Sequence, residues 1–189
     1  YDATTQTFTI SKPAEFAWLP GNEAELTGKT IVLSQDIDMS GIDWMPILNQ
    51  GSYTFDGKGH TIKNISINGK FADPNYKADA KAYTGIWSKF SGIMRNVTFE
   101  NVTINGRAND AVHSDENGPI AHDDEHAYFA GCIGYAGANH SLQADFYNVH
   151  VKHIVIRVSK GKAVQNIGGL LGWLGTGTHT MEGCSVTDA

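Results

Sequence analysis

Acidic and imidazole side chains are concentrated in one stretch of the sequence, residues 107–127. Five of them have the chemistry of ligands for a divalent cation: Asp115, Glu116, His122, Asp124 and His126. Carboxylate oxygens and imidazole nitrogens both bind such ions, and histidines four residues apart would share one face of a helix. The stretch has neither a calcium-loop motif nor a His-Glu-x-x-His motif, and acidic sequences of this kind are more commonly solvated loops. We therefore expect no obligatory cofactor, and a divalent cation is the candidate ligand of this stretch.

Two pairs of side chains have residue types that could carry out acid–base catalysis. Asp36 and Asp38 are two residues apart, so they would share one face of a strand, and glycoside hydrolysis uses two carboxyl groups roughly 5 to 9 Å apart. Asp56 and His60 could form a second acid–base pair. An Asp beside a turn also accepts hydrogen bonds from backbone N–H groups without catalysing anything. We interpret both pairs as structural and expect no enzyme activity.

Aromatic side chains are a third group with a chemical use, because exposed flat rings can stack on sugars. We consider four of them candidate ligand-binding residues, since they lie near polar insertions or in a glycine-rich segment: Tyr76, Tyr83, Tyr128 and Trp173. Trp44 and Trp87 have apolar neighbours in the sequence. We expect these two to be buried.

Composition limits both the partners and the fold. The chain has 189 residues, about one domain. Its 14 Lys and Arg against 20 Asp and Glu give a net charge of −6, which does not attract nucleic acid. No apolar run approaches the roughly 20 residues that span a bilayer. With 21 glycines and only 18% charged residues, the composition favours a turn-rich β protein.

Two short patterns recur along the chain, and a repeated unit determines the architecture. The first is Asn-Φ-x-Φ, where Φ is apolar; it begins at Asn64, Asn96, Asn101 and Asn148, with a degraded copy at Cys184. The second is a glycine-framed apolar pair, at residues 85–88, 131–134 and 169–172. Without residues 107–127, the longest interval between copies becomes similar to the others. We therefore interpret 107–127 as a loop insertion, and 70–82 as another.

Short strands, glycine-framed bends and recurring Asn favour an all-β parallel solenoid, in which each coil covers the apolar edge of the previous one. The Asn side-chain amides would then form ladders. Eight apolar residues of the repeats should point inward: Ile65, Ile67, Val97, Phe99, Val102, Ile104, Val149 and Val151. A short helix from Pro13 to Leu19, ended by Pro20, should precede the strands.

An antiparallel sandwich is the alternative fold, because residues 54–62 contain an Asp-Gly turn signal between two apolar runs. A sandwich gives no reason for each glycine-framed pair to precede an Asn-Φ-x-Φ copy. We favour the solenoid, with residues 1–189 as one domain and 1–50 as its N-terminal cap and first coil.

Several segments also follow a known order: Phe8-Thr9-Ile10-Ser11, then Leu-Ser-Gln-Asp-Ile-Asp-Met at 33–39, Trp-Met-Pro-Ile at 44–47 and Phe-Asp-Gly-Lys-Gly-His-Thr-Ile at 55–62. With the glycine-framed pairs, best at 168–172, they resemble right-handed parallel β-helix surface proteins that carry GLUG-type repeats. Such proteins are common among secreted and cell-surface proteins of gut Bacteroidetes and some Gram-positive bacteria. The resemblance covers nearly the whole chain. It implies a right-handed β-helix, a cap over its first coil and an adhesin or accessory role, with no catalytic motif.

These observations together predict a non-catalytic, adhesin-like module that binds a glycan or a host or matrix protein. Its place would be outside a bacterium or on its surface, as part of a longer chain. Two alternatives stay open: a β-helix carbohydrate-active enzyme, such as a polysaccharide lyase or glycoside hydrolase, and a rigid structural spacer. Clustered carboxylates would favour the enzyme and exposed aromatic rings the glycan binder. We expect no nucleic-acid partner and no membrane-spanning segment.

Overall fold

The computed structural model describes residues 1–68, 82–107, 113–115, 118–120, 126–137, 142–159 and 164–189. The first part of the chain contains one α-helix, α1 (Pro13–Phe16), one 3-10 helix (Glu23–Leu26) and six strands: β1 (Thr7–Ile10), β2 (Thr30–Leu33), β3 (Ile37–Asp38), β4 (Ile47–Asp56), β5 (Thr61–Lys63) and β6 (Ser66–Ile67). Five strands follow it, up to residue 130: β7 (Ala82–Thr84), β8 (Trp87–Arg107), β9 (His113–Asp115), β10 (Gly118–Ile120) and β11 (His126–Ala130). The last six strands are β12 (Ile133–Ala136), β13 (Ala144–Ser159), β14 (Val164–Gly168), β15 (Leu171–Leu174), β16 (Met181–Glu182) and β17 (Ser185–Thr187).

The protein is mostly β, and a long parallel sheet dominates it. Its strands follow the order β1, β2, β4, β8, β12 and β15, and β13 pairs in parallel with β8, β16 and β17. A second sheet joins β7, β11 and β14, also in parallel. In the described part of the chain, antiparallel pairing is confined to β9 with β10 and to a bridge between Asp2 and Thr7. This arrangement excludes the antiparallel sandwich.

The hairpin signal at residues 54–62 does not form a hairpin. β4 and β5, which flank it, each pair in parallel with β8 and not with each other. The predicted turn itself is present, since Lys58 and Gly59 both have positive φ. After that turn, however, the chain does not reverse to pair with β4. It continues in the same direction, so that β5 pairs with a later part of β8.

Asparagines mark the places where the long strands bend. Asn96 and Asn101 in β8 have φ of 52° and 55°, and Asn148 in β13 has φ of 53°. Asn tolerates this left-handed region better than most residues. The Asn148 Nδ2 donates to Asn96 Oδ1 at 3.3 Å and the Asn101 Nδ2 donates to Asn64 Oδ1 at 3.1 Å. The predicted Asn ladders are confirmed.

The core is formed by apolar side chains that the strands bury, and it includes the residues that the repeat pattern predicts to point inward. All eight predicted inward residues are at most 1% exposed. Trp44 and Trp87 are buried as well, at 1% and 0% exposure. Phe16 of α1 stacks on Trp44 with ring centroids 4.5 Å apart, so the helix covers the core beside the first strands.

Helix α1 is shorter than the predicted span from Pro13 to Leu19. It ends at Phe16, and the Leu19 N–H donates to the Phe16 carbonyl at 3.1 Å, which tightens the last turn. Pro20 has no N–H with which to continue the helical ladder. Among the described residues, no helix is long and apolar enough to span a bilayer.

Candidate functional site

Four aromatic residues come together where the two parallel sheets meet. Tyr83 on β7 and Tyr128 on β11 are register partners, and their ring centroids lie 5.2 Å apart at an interplanar angle of 25°. Tyr135 on β12 and Trp173 on β15 are also register partners, with centroids 5.7 Å apart. Tyr83 and Tyr135 stack across the two sheets at 4.8 Å, as do Tyr128 and Trp173 at 4.8 Å in a tilted arrangement. We call these four residues the aromatic platform.

Two glycines allow the sheets to approach closely enough for these ring contacts. A Cβ atom added to Gly134 would lie 2.8 Å from Tyr83 Cβ on the second sheet, and one added to Gly172 would lie 3.3 Å from Tyr128 Cβ on that sheet. Real Cβ atoms essentially never show the first distance, and the second is tighter than most of their contacts. Gly134 and Gly172 are the closing glycines of the second and third glycine-framed pairs. The repeat therefore places a glycine directly before Tyr135 on β12 and directly before Trp173 on β15.

The four residues of the aromatic platform differ in their exposure to solvent. Tyr128 and Tyr135 are buried, at 8% and 6% exposure, whereas Tyr83 and Trp173 are partly exposed. Two buried rings thus support two rings that reach the surface. Because each ring contacts at least two of the other three, the positions of the rings are fixed before any ligand arrives.

A cation lies beside the platform. Lys89 on β8 is the register partner of Tyr135, and its Nζ atom lies 5.8 Å from the Tyr83 ring centroid. This distance suits attraction between an ammonium group and the ring quadrupole. The site therefore combines aromatic surface with one hydrogen-bond donor of positive charge.

The structure gathers three of the four predicted ligand-binding residues into this one site: Tyr83, Tyr128 and Trp173. The fourth, Tyr76, lies outside the described residues. Tyr135 was missed by sequence reasoning. A signal for it was present, because Tyr135 follows Gly134 as Trp173 follows Gly172.

The carboxylates considered for catalysis are held by structural hydrogen bonds. Asp36 Oδ1 accepts from the Thr61 N–H at 2.9 Å and lies 3.2 Å from His60 Nδ1. The Thr61 N–H is the main cause that lowers the pKa of Asp36. Asp38 Oδ1 accepts from Ser40 Oγ at 2.6 Å and Asn64 Nδ2 at 2.8 Å, and the Ser40 bond is the main cause that lowers its pKa.

Asp56 and His60 do not form the acid–base pair that their spacing suggests, because His60 contacts Asp36 instead. Asp56 is only 2% exposed, and its Oδ2 lies 3.0 Å from Arg95 Nε and 3.1 Å from Lys58 Nζ. Burial raises the pKa of Asp56, but hydrogen bonds from Lys58 and Asn96 and the Arg95 charge outweigh it, so the pKa is lowered overall. The carboxylate belongs to an ion-paired network inside the fold.

The structure describes the backbone at two of the five predicted cation ligands. Glu116, His122 and Asp124 lie outside the described residues. For Asp115 and His126 only the backbone is described: Asp115 ends β9 and pairs with Gly118, and His126 begins β11 and pairs with Val164. Within the described ranges, no group of three or more His, Cys, Asp or Glu side chains could hold a metal ion.

Comparison with known proteins places the chain near one solved structure. The chain resembles the crystal structure of a "putative immunoglobulin A1 protease" from Bacteroides ovatus with 17% sequence identity and a TM-score of 0.46. The match covers 95% of this chain and 56% of that protein, so this chain spans little more than half its length. No protein-family model and no curated protein matches the sequence. The similarity is too low to bear on activity.

Proposed function

We propose that this chain is a right-handed parallel β-helix that acts as a non-catalytic, adhesin-like module and binds a glycan. The parallel register from β1 to β15 supports the helical stacking, and the Asn ladders support a coil-by-coil repeat. The resemblance to GLUG-type surface proteins supports a location outside a bacterium or on its surface, within a longer protein. Binding of this kind requires no cofactor.

The observation that carries the proposal is the ring contact among Tyr83, Tyr128 and Trp173, which follow one another along the sequence at intervals of 45 residues. Partly exposed, rigidly supported rings offer apolar faces to the C–H groups of a sugar ring. Lys89 adds a donor for a sugar hydroxyl or carboxylate beside the rings. Binding to a preorganised site costs little conformational entropy, so a ligand that makes few contacts can still bind there.

The affinity of one copy of the chain for a glycan should be low. It should increase when many copies are displayed together on a surface. Several copies that engage a polymeric glycan together gain effective concentration without new contacts. This property favours a glycan over a single compact protein ligand. Binding of a host or matrix protein without binding of any glycan would replace the proposal.

The experiment compares the wild-type chain with Trp173→Ala, each coupled to beads and applied to a glycan array. Removal of the Trp173 ring should lower binding at least about tenfold, which corresponds to about 1.4 kcal/mol. Tyr147→Ala is the matched control, because Tyr147 is also a partly exposed aromatic residue of a strand but is outside the platform. Thermal unfolding verifies that both variants fold. Equal binding by wild type and Trp173→Ala would contradict the proposed site, and no glycan binding at all would favour a spacer.

A further inference from the structure

A second row of aromatic rings lies at the other end of the main sheet from Trp173, where β1 meets α1. The row consists of Tyr1, Phe8 and Trp18. The ring centroids of Tyr1 and Phe8 are 4.5 Å apart, and those of Phe8 and Trp18 are 5.6 Å apart. Tyr1 is 62% exposed and Trp18 is 41% exposed, so these rings reach solvent far more than Tyr128 and Tyr135 do.

The three rings line an open groove of about 410 Å³. We call it the N-terminal groove. Its other lining residues come from β1 and from α1 with the turn that follows it: Thr9, Ile10, Ala14, Glu15 and Leu19. Ile10 and Leu19 belong to the buried core, so they support the groove from beneath. A concave, largely apolar surface with a few polar groups is the usual form of a small-ligand site.

The rings are held in place by the chain around them. The Asp2 N–H donates to the Thr7 carbonyl at 2.8 Å, and the Thr7 N–H donates back to the Asp2 carbonyl at 3.1 Å. The Tyr1 hydroxyl donates to Gln6 Oε1 at 2.8 Å, and Lys29 Nζ lies 5.7 Å from the Tyr1 ring centroid. A ligand would therefore meet a groove that is already formed.

Glu15 is the charged residue among those that line the groove. Its Oε2 accepts from the Ser11 N–H at 2.6 Å and from Ser11 Oγ at 3.1 Å. The bond from the Ser11 N–H is the main cause that lowers the pKa of Glu15, so this carboxylate is ionised at neutral pH. A carboxylate has about four lone-pair sites, so Glu15 can accept a further hydrogen bond from a ligand.

These features weigh against two classes of ligand. A purely apolar ligand that covered the groove would remove water from an ionised carboxylate without replacing the hydrogen bonds. An anionic ligand would be repelled by Glu15 and by a chain of net charge −6. An uncharged sugar meets both demands, because its C–H faces pack on rings and its hydroxyls donate to a carboxylate.

We propose that the N-terminal groove binds an uncharged pyranose oligosaccharide, with sugar rings on Trp18 and Phe8 and a hydroxyl donating to Glu15. The inference rests on the glycan-binding class proposed above, but it uses none of the platform residues. The chain would then hold two glycan-binding sites at opposite ends of the main sheet. One polysaccharide or two neighbouring ones could engage both sites.

The four tryptophans make the proposal testable in one measurement. Trp44 and Trp87 are buried, whereas Trp18 and Trp173 report on the groove and the platform respectively. The chain is labelled with 5-fluorotryptophan, and the four ¹⁹F signals are assigned with single Trp→Phe variants. Hexasaccharides of β-1,4-linked glucose, xylose and mannose and of α-1,4-linked glucose are titrated to about 10 mM, a range that detects millimolar binding.

We expect the Trp18 signal to shift and saturate with at least one hexasaccharide while the Trp44 and Trp87 signals stay unchanged. Glu15→Gln should weaken that titration about tenfold, because a hydrogen bond to a charged acceptor is lost. Tyr147→Ala, which is outside both sites, should leave it unchanged. Glu15→Gln keeps an oxygen acceptor for Ser11, so the variant tests the charge while it preserves the local fold.

The outcomes separate this inference from the proposed function. Shifts of Trp173 alone would overturn the groove and leave the platform intact, and shifts of Trp18 alone would do the reverse. A Trp18 shift that Glu15→Gln does not weaken would overturn the assigned role of the carboxylate. A response of Trp18 to an apolar peptide but to no saccharide would overturn the ligand class.

Discussion

Asn101 donates its side-chain amide to Asn64 Oδ1 at 3.1 Å, although the two residues are 37 positions apart. Asn64 in turn donates to Asp38 Oδ1 at 2.8 Å. A second ladder has the same form, from Asn105 through Asn68 to Asp43, with bonds of 2.7 and 3.0 Å. Each ladder begins at an Asp of the N-terminal segment, whose side-chain oxygen accepts the first hydrogen bond.

The first prediction concerns the backbone conformation of the ladder residues. Asn101→Ala should lower the free energy of unfolding by about 2 to 3 kcal/mol, because it removes one amide hydrogen bond and places a Cβ without a polar group at positive φ. Asn101→Gly removes the same amide but keeps the favourable φ. It should therefore cost less, about 1 kcal/mol.

Urea unfolding monitored by circular dichroism measures both values. Glu100→Ala, on the same strand and partly buried, is a neighbouring control with an ordinary φ. Equal losses for Asn101→Ala and Asn101→Gly would show that the left-handed backbone is not a cause of the Asn preference.

Residue types that recur were sufficient to predict the parallel pairing of the strands and the Asn ladders. The Asn-Φ-x-Φ copies mark both the inward positions and the bends, so the core residues and the Asn contacts followed from the same pattern. The aromatic platform was predicted only in part, because it depends on the approach of two sheets at Gly134 and Gly172. The N-terminal groove was missed, since its rings come from three separate segments with no common spacing.

The second prediction concerns the buried carboxylate of Asp56. Asp56→Asn should lower the free energy of unfolding at pH 7 by about 1 to 3 kcal/mol, because Arg95 and Lys58 lose an ionised acceptor. The folded-state pKa of Asp56 is lowered, so its contribution is present above the unfolded pKa of about 4 and is lost as the pH falls through the folded value.

The measurement is the free energy of unfolding as a function of pH for both proteins. The difference between wild type and Asp56→Asn should shrink as the pH is lowered below about 4. Arg95→Gln, which removes the partner but keeps a donor, should show part of the same effect. A difference that stays constant down to pH 2 would contradict an ionised Asp56 in the fold.

The third prediction concerns core packing. Ile104→Ala should cost about 2 to 5 kcal/mol, because Ile104 is fully buried and the truncation leaves a cavity. Val155→Ala on the neighbouring strand is the control, since Val155 is 40% exposed, and it should cost less than about 1 kcal/mol. Similar losses from both variants would mean that Ile104 does not face the core.

The fourth prediction concerns residues 107–127, which the sequence predicts to be a loop insertion. A Cβ added to Gly106 would lie 2.4 Å from Phe129 Cε1, so the chain just before this stretch contacts the chain just after it. Replacement of residues 108–125 by a short Gly-Ser linker should therefore leave the fold intact, because loop closure depends only weakly on length. Thermal unfolding and circular dichroism test this. A chain that fails to fold after the replacement would assign the segment to the core.

The last prediction is that the purified chain hydrolyses and cleaves no polysaccharide. A general acid must hold a proton at the working pH, and catalysis needs a second group within hydrogen-bond reach of the same substrate. The pKa values of Asp36, Asp38 and Asp56 are all lowered, so these carboxyls are ionised at neutral pH. Each of these carboxylates also accepts hydrogen bonds from neighbouring groups of the protein. A substrate would have to displace these hydrogen bonds. Reducing-end and unsaturated-product assays on a polysaccharide panel test the claim; turnover that disappears in a folded Asp36→Asn or Asp56→Asn variant would refute it.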